Sequence, residues 1–260
     1  MAVQITGEKV TDGVYIRING ETYRFQRNIT PFQSKAEINP GEYTLVNKGK
    51  LPYLHSDQAI SMIQSFYGLK SLDANVRALT AGLKVPSPSI FMPHYVNVNE
   101  ALQGRSVLYD ASGNLIEGDR LEKYSSTLNS DCWVHLNAGF PKESEKGTGF
   151  LDLDLAVITG LDAEGKPVIS RMPLEDCLGK NCWADLELLN SQGLPTRASR
   201  IGRYIPGKVI YFTYPTEDSV ARFDANPGWT YLNCNRNPRD SNTSLGVFLC
   251  AEGTQNSETH

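Results

Sequence analysis

No stretch of the sequence approaches the roughly 18 consecutive apolar residues of a membrane span. The opening MAVQITGEKV has no basic segment followed by an apolar one, so no secretory leader is expected, and the protein is expected to be assembled in the cytoplasm. There is no glycine-rich phosphate loop, no G-x-S-x-G elbow and no C-x2-C knuckle. Positive charge is not in excess: the net charge is -4, which argues against bulk nucleic-acid binding, because neutralising phosphates takes clustered Lys and Arg. Histidine is scarce, with His55, His94 and His135 well apart. Cys177 and Cys182 are spaced too loosely for a knuckle and have no H-x3-5-H to match, so no Cys/His metal site is expected. The five cysteines are an odd number in a chain without a leader, which predicts reduced, mostly buried thiols. Cys132 and His135, three apart on a strand, would face opposite ways and make a poor nucleophilic pair.

What is present is strand patterning. The strongest segment is 150–169, FLDLDLAVITGLDAEGKPVI. Leu151, Leu153 and Leu155 alternate with Asp152 and Asp154, the period of a strand with one buried face. Residues 156–158 continue as an apolar run, 162–165 read as a turn and 167–169 as the returning strand. In 14–25 (VYIRINGETYRF), Asn19-Gly20 supplies the positive φ angles of a two-residue hairpin turn. Further strands are predicted at 42–46, closed by Asn47-Lys48-Gly49, and at 107–109 and 115–116 around Ser112-Gly113-Asn114. Others fall at 132–136, 209–212, 229–232 and 247–249.

Helical signals are fewer. Ser56 as N-cap with Ile60, Ile63 and Tyr67 predicts a helix stopped by Gly68; Ser71 opens a second, carrying Leu72, Val76, Leu79 and Leu83. Lys70, Arg77 and Lys84 recur every seven residues along this hairpin, which reads as a solvated basic edge rather than a DNA-reading face. Trp183, Leu186 and Leu189 predict a short helix over 183–190. Pro86-Ser87-Pro88-Ser89 reads as an extended linker, 142–148 as an exposed loop, and 233–244 as a long irregular one. The fold class is therefore a β-rich α+β fold, its antiparallel hairpins forming a sandwich or partly open barrel. The expected segments are an N-terminal β module (1–52), a helical hairpin (53–85), a main β-rich domain (86–252) and a disordered tail (253–260).

Two constellations could carry chemistry. Asp152 and Asp154, at i and i+2 on a strand, would point to one side and suit Mg²⁺ or Mn²⁺ for phosphoryl transfer. With Gly207-Lys208-Val209-Ile210-Tyr211-Phe212 downstream and Asp224 as a third acid, this arrangement resembles the metal-binding strand of the primase-polymerase enzymes over about a quarter of the chain. That family places a His in its second motif, where this chain has Val209 and its neighbours. Arg197, Arg200, Arg203 and Lys208 form a local basic cluster able to hold an anion or to pair with acids. The bland alternatives are the solvated face of a strand and a salt-bridged surface.

Hairpins, long Asn- and Ser-rich loops and the lack of a complete active site make a non-enzymatic assembly subunit the leading expectation, a phage capsid or tail accessory component being its concrete form. Its partners would be protein subunits, with neither membrane nor nucleic acid involved. In the loop after 232, Asn235, Arg236, Asn237 and Arg239 are the candidate intersubunit contacts. The alternatives are the metal-dependent transferase built on Asp152 and Asp154, and a ligand- or glycan-binding module using Trp229, Tyr231 and the Asn-rich loop.

Overall fold

The computed structural model describes residues 14–18, 21–25, 28, 31–46 and 57–253. The first hairpin is present: β1 (Val14–Ile18) runs antiparallel to β2 (Glu21–Phe25), with Ile18 opposite Glu21. The Asn19-Gly20 turn, the turn at 47–49, Ser56 and residues 254–260 lie outside the described residues. Gly253 is paired, bridging Ser34 and donating its N–H to the Asp57 carbonyl at 2.8 Å.

Among the described residues, the remaining strands form two sheets. The smaller has β4 (Gln58–Ser61) at its centre, flanked by β3 (Tyr43–Leu45) and the last strand, β12 (Cys250–Glu252). This corrects the first predicted helix. Ala59, Ile60 and Ser61 are all buried between two neighbouring strands, whereas Ile63 and Tyr67, two of the three residues of the apparent helical stripe, are exposed. The sheet takes one strand from each of the three segments expected at 1–52, 53–85 and 86–252. On β4, Ile60 joins the larger core and Ala59 the smaller one, so this sheet lies between them.

The larger sheet has seven strands in the order β7-β6-β5-β10-β11-β9-β8. They are β5 (Cys132–Phe140), β6 (Asp154–Leu161), β7 (Pro167–Pro173), β8 (Cys182–Asp185), β9 (Val209–Thr213), β10 (Ser219–Asn226) and β11 (Trp229–Arg236). All neighbours are antiparallel except β9 and β11. The helix predicted at 183–190 is therefore strand β8 and the turn after it: Ala184 and Leu186 are buried, while Leu188 is exposed.

Among the described residues, three helices complete the fold. The predicted helix α1 (Ser71–Thr80) is present. The supposed linker contributes Pro88 to the first turn of α2 (Pro88–Leu102), where its fixed φ suits a helix start. Helix α3 (Gly118–Ser130) carries Leu121, Tyr124 and Leu128 at helical spacing, a stripe readable from sequence alone. Helices α2 and α3 cover one face of the large sheet. Phe91 and Tyr95 of α2 meet Phe223 of β10 with ring centroids 4.9 and 5.0 Å apart. Asn129 of α3 ties the layer together: its Oδ1 accepts from the Tyr95 and Tyr204 hydroxyls at 2.8 and 2.6 Å, and its amide donates to Asn99 at 2.9 Å. Among the described residues no helix is long and apolar enough to cross a membrane.

Where β5 and β6 diverge, a side chain replaces the backbone ladder. The strands pair at Gly139 and Ala156, and further along the Asn137 amide donates to the Ile158 carbonyl and accepts the Ile158 N–H at 2.8 and 2.9 Å. Beyond this point the β6–β7 hairpin forms the edge of the sheet and leaves Val168, Ile169 and Met172 exposed.

Candidate functional site

The second face of the large sheet is polar and aromatic. Directly opposed residues on neighbouring strands share a face. The register therefore sets Trp133, Asp224, Tyr231, Tyr211 and Trp183 in one row across five strands. The rings meet edge to face: Trp183 with Tyr211 at 5.4 Å, Tyr211 with Tyr231 at 5.3 Å, and Tyr231 with Trp229 at 4.6 Å. Beside it runs a second row, His135, Arg222, Asn233 and Thr213.

Asp224 is the centre of the polar part and is 3% exposed. Its carboxylate lies 2.8 Å from the Arg222 guanidinium and 3.5 Å from that of Arg236, and accepts from the Asn233 amide at 2.7 Å. Asp240, on the loop that follows β11, approaches Arg222 at 3.6 Å. A charge buried this far must be paired, and this one is. His135 lies next to Arg222 with its Nε2 3.2 Å from the Leu69 carbonyl; burial lowers its pKa, and Arg222 adds to the effect.

At the end of this face opens a cleft of about 500 Å³. Tyr67 and Trp133 line it together with Gln64, Asp131 and Asn226, and residues 242–244 complete it. The segment that presents Tyr67 is tightly turned, with Phe66 at φ 54° and Gly68 at φ 73°. It is laid against the chain before β12: Ser65 and Val247 are bridged, and the Gly68 N–H donates to the Leu245 carbonyl at 3.0 Å. Gly246 is glycine for a packing reason, since a Cβ there would sit 3.2 Å from the Tyr67 ring. Burial and the Asp131 carboxylate hold the Tyr67 phenol above its ordinary pKa. The Gln64 amide donates to the Asp131 carbonyl at 3.0 Å, while its Oε1, a buried acceptor, finds no partner among the described residues.

The acids expected to bind metal are not brought together. Phe150–Asp152 is a 3-10 turn in which Leu151 and Asp152 both take left-handed φ, 60° and 56°, so the alternating pattern does not lie on one strand. Leu151 and Asp152 are exposed; Asp154 is 2% exposed and accepts from the backbone N–H of Ser144 at 3.0 Å and from its hydroxyl. Asp154 donates its N–H to Pro141 while Asp224 lies opposite Trp133, eight positions back along the same chain segment. Along the partner strand β10, where Asp218 bonds to Phe140, the same span is six residues, which at about 3.3 Å each is on the order of 20 Å. The likeness to the primase-polymerase metal strand does not extend to the geometry. Val209 and Phe212 belong to β9, in the body of the sheet.

The basic cluster resolves into pairing and exposure. Arg197 reaches Asp185 at 2.6 Å and Glu187 at 3.3 Å, while Arg200, Arg203 and Lys208 are exposed. Of the seven-residue basic repeat, Arg77 sits 4.9 Å over the Phe66 ring and Lys84 pairs with Glu252. In the loop candidate, Arg236 turns inward to Asp224, the Asn235 Oδ1 accepts from Thr213 at 3.0 Å, and the Asn237 Oδ1 accepts the Arg239 N–H at 3.0 Å. Asn235, Asn237 and Arg239 remain exposed. The five cysteines are unpaired and four are buried; burial pushes the Cys177 and Cys250 thiols up to about 12. Cys132 faces the helices and His135 the opposite side.

The residues that sequence reasoning passes over are Gln64, Tyr67, Asp131, Trp133 and Asn226. They come from distant parts of the chain, and the available signal was limited to the aromatics on predicted strands. Comparison with family models, with curated proteins and with solved structures finds no match for this chain.

Proposed function

We propose that this protein is a non-enzymatic subunit of a larger protein assembly, such as a phage capsid or tail, and that it docks through the β6–β7 ribbon. The observation that carries this reading is the exposure of Val168, Ile169 and Met172, at 45%, 51% and 39%, on a ribbon at the sheet edge. Val168 and Met172 lie on one face of the ribbon and Ile169 on the other, by the alternation of a strand.

The free backbone edge of β7 is restrained. Leu174 donates to Leu153 and Asp162 to Lys166, so even-numbered residues of β7 bond inward and odd-numbered ones face the edge. Two of those four odd positions are Pro167 and Pro173, which have no N–H to offer. Open-ended strand addition is thereby blocked, and the contact is made by side chains. Completing the burial of three half-exposed apolar side chains is worth on the order of 3 kcal/mol. Association costs about 4–15 kcal/mol, so the ribbon needs a second contact or a closed ring of copies. The exposed Asn235, Asn237 and Arg239 supply a polar second contact.

Sedimentation velocity on the purified protein, alone and mixed with the products of its neighbouring genes, tests the proposal. The expected result is a defined oligomer or complex that Ile169→Lys dissolves while the monomer stays folded. Hydrogen exchange of residues 235–239 is expected to slow on assembly. A wild type that stays monomeric in both settings, or an association indifferent to Ile169→Lys, refutes it.

A further inference from the structure

We infer that the cleft between residues 64–67 and 242–244 is a binding site for a neutral saccharide. The inference is independent of the ribbon. Its cavity of about 500 Å³ is the size of a small-molecule site. Among the described residues neither Lys nor Arg lines it, and the single charged group there is the Asp131 carboxylate, so a phosphate or carboxylate ligand would meet repulsion and find no cation. A purely apolar ligand would strip water from Gln64, Asn226 and Asn242 without replacing their hydrogen bonds. A ligand carrying many hydroxyls satisfies these amides, because each hydroxyl both donates and accepts.

The aromatic side chains supply the other half of saccharide recognition. A sugar ring presents weakly positive C–H groups on one face, complementary to the negative face of an aromatic ring. Tyr67 is 52% exposed, and it is held in place by the strained turn at Phe66 and by Gly246 beneath its ring. Trp133 lies in the cleft as well. Asn226 is directly opposite Trp229, which is 36% exposed, so an aromatic surface continues out of the cleft along the sheet. An oligosaccharide can therefore occupy the cleft with one ring and lay the next over Trp229.

The test is titration of the full chain with glucose, galactose, mannose, N-acetylglucosamine and their 1,4-linked dimers and trimers. Tryptophan fluorescence and saturation-transfer NMR supply the readouts, and inorganic phosphate is the anionic control. The expected result is saturable binding of at least one sugar series, tighter for the dimer than for the monomer. Tyr67→Ala and, separately, Asn242→Ala are expected to weaken it about tenfold, and Tyr67→Phe to retain it. Both positions are exposed, so both variants should fold. Three outcomes overturn the inference: no saturable binding across the panel, binding that both alanine variants leave unchanged, or competition by phosphate.

Discussion

His94 makes the acid stability of this protein predictable. It lies on α2 with no exposed surface, its Nε2 2.7 Å from the Tyr124 hydroxyl of α3, and its Nδ1 has no partner among the described residues. Burial without a counter-charge lowers its pKa from the ordinary value near 6.5 to about 3. The unfolded chain therefore takes up a proton that the folded chain refuses. The stability that the neutral ring contributes is fully present above about pH 6.5 and is lost progressively as pH falls toward 3. At about 1.36 kcal/mol per pH unit, this histidine alone costs roughly 2 kcal/mol by pH 5 and about 5 kcal/mol below pH 3. Urea denaturation at a series of pH values measures this against His94→Gln, which keeps a hydrogen-bonding partner for Tyr124 but does not titrate. The variant is expected to be less stable near neutrality by a fixed repacking cost. Its deficit should shrink by roughly 2 kcal/mol between about pH 7.5 and 5, because only the wild type loses the histidine contribution. His135, also lowered by burial, is common to both proteins and cancels in the difference. Parallel stability curves over that range would refute the reasoning.

The two acids of the D-x-D sequence should separate cleanly. Asp154→Asn disturbs a buried acceptor of two Ser144 donors and is expected to cost about 1–3 kcal/mol, whereas Asp152→Asn should stay within about 0.5 kcal/mol, since Asn tolerates the left-handed φ. Equal losses in denaturant titrations would contradict their placement. Asp224→Asn takes the buried counter-charge from Arg222 and Arg236, leaving Arg222 only the more distant Asp240, and is expected to cost about 3 kcal/mol or more, with faster hydrogen exchange in β10 and β11; a near-neutral effect would disprove the buried pairing. Gly207→Ala sets a Cβ 2.4 Å from that of Asn99 at a φ of 68° and should lower stability by more than about 2 kcal/mol. Gly165→Ala, with open space and a φ of 77°, should cost only about 1 kcal/mol, and thermal denaturation of the pair distinguishes packing from backbone strain.

What the amino-acid order determined by itself is local pairing. The β1–β2 and β6–β7 hairpins join strands that are neighbours in sequence, and their turn residues with period-2 alternation carry all the information such a unit needs. Helix α1 and the strand character of 132–136, 209–212 and 229–232 were legible for the same reason. Helix α2 was hidden: it is buried on most sides, so it shows no amphipathic stripe, and Pro93 lies inside it. The alternation of Leu151 to Leu155 misled because a left-handed turn at Leu151 and Asp152 starts the strand two residues later, and no period in the sequence reveals that. The spacing of Ile60, Ile63 and Tyr67 was helical by coincidence. Only the arrival of β3 and β12 on either side of Gln58–Ser61 made that segment a strand. The same holds for the cleft. Gln64, Asp131, Trp133, Asn226 and Asn242 meet because β5 lies beside β10 and the chain before β12 crosses to β5 through the Val134–Gly246 bridge. Strand order across a sheet is set by which faces can be buried against the helices, a property of the whole core, and no window of neighbouring residues contains it.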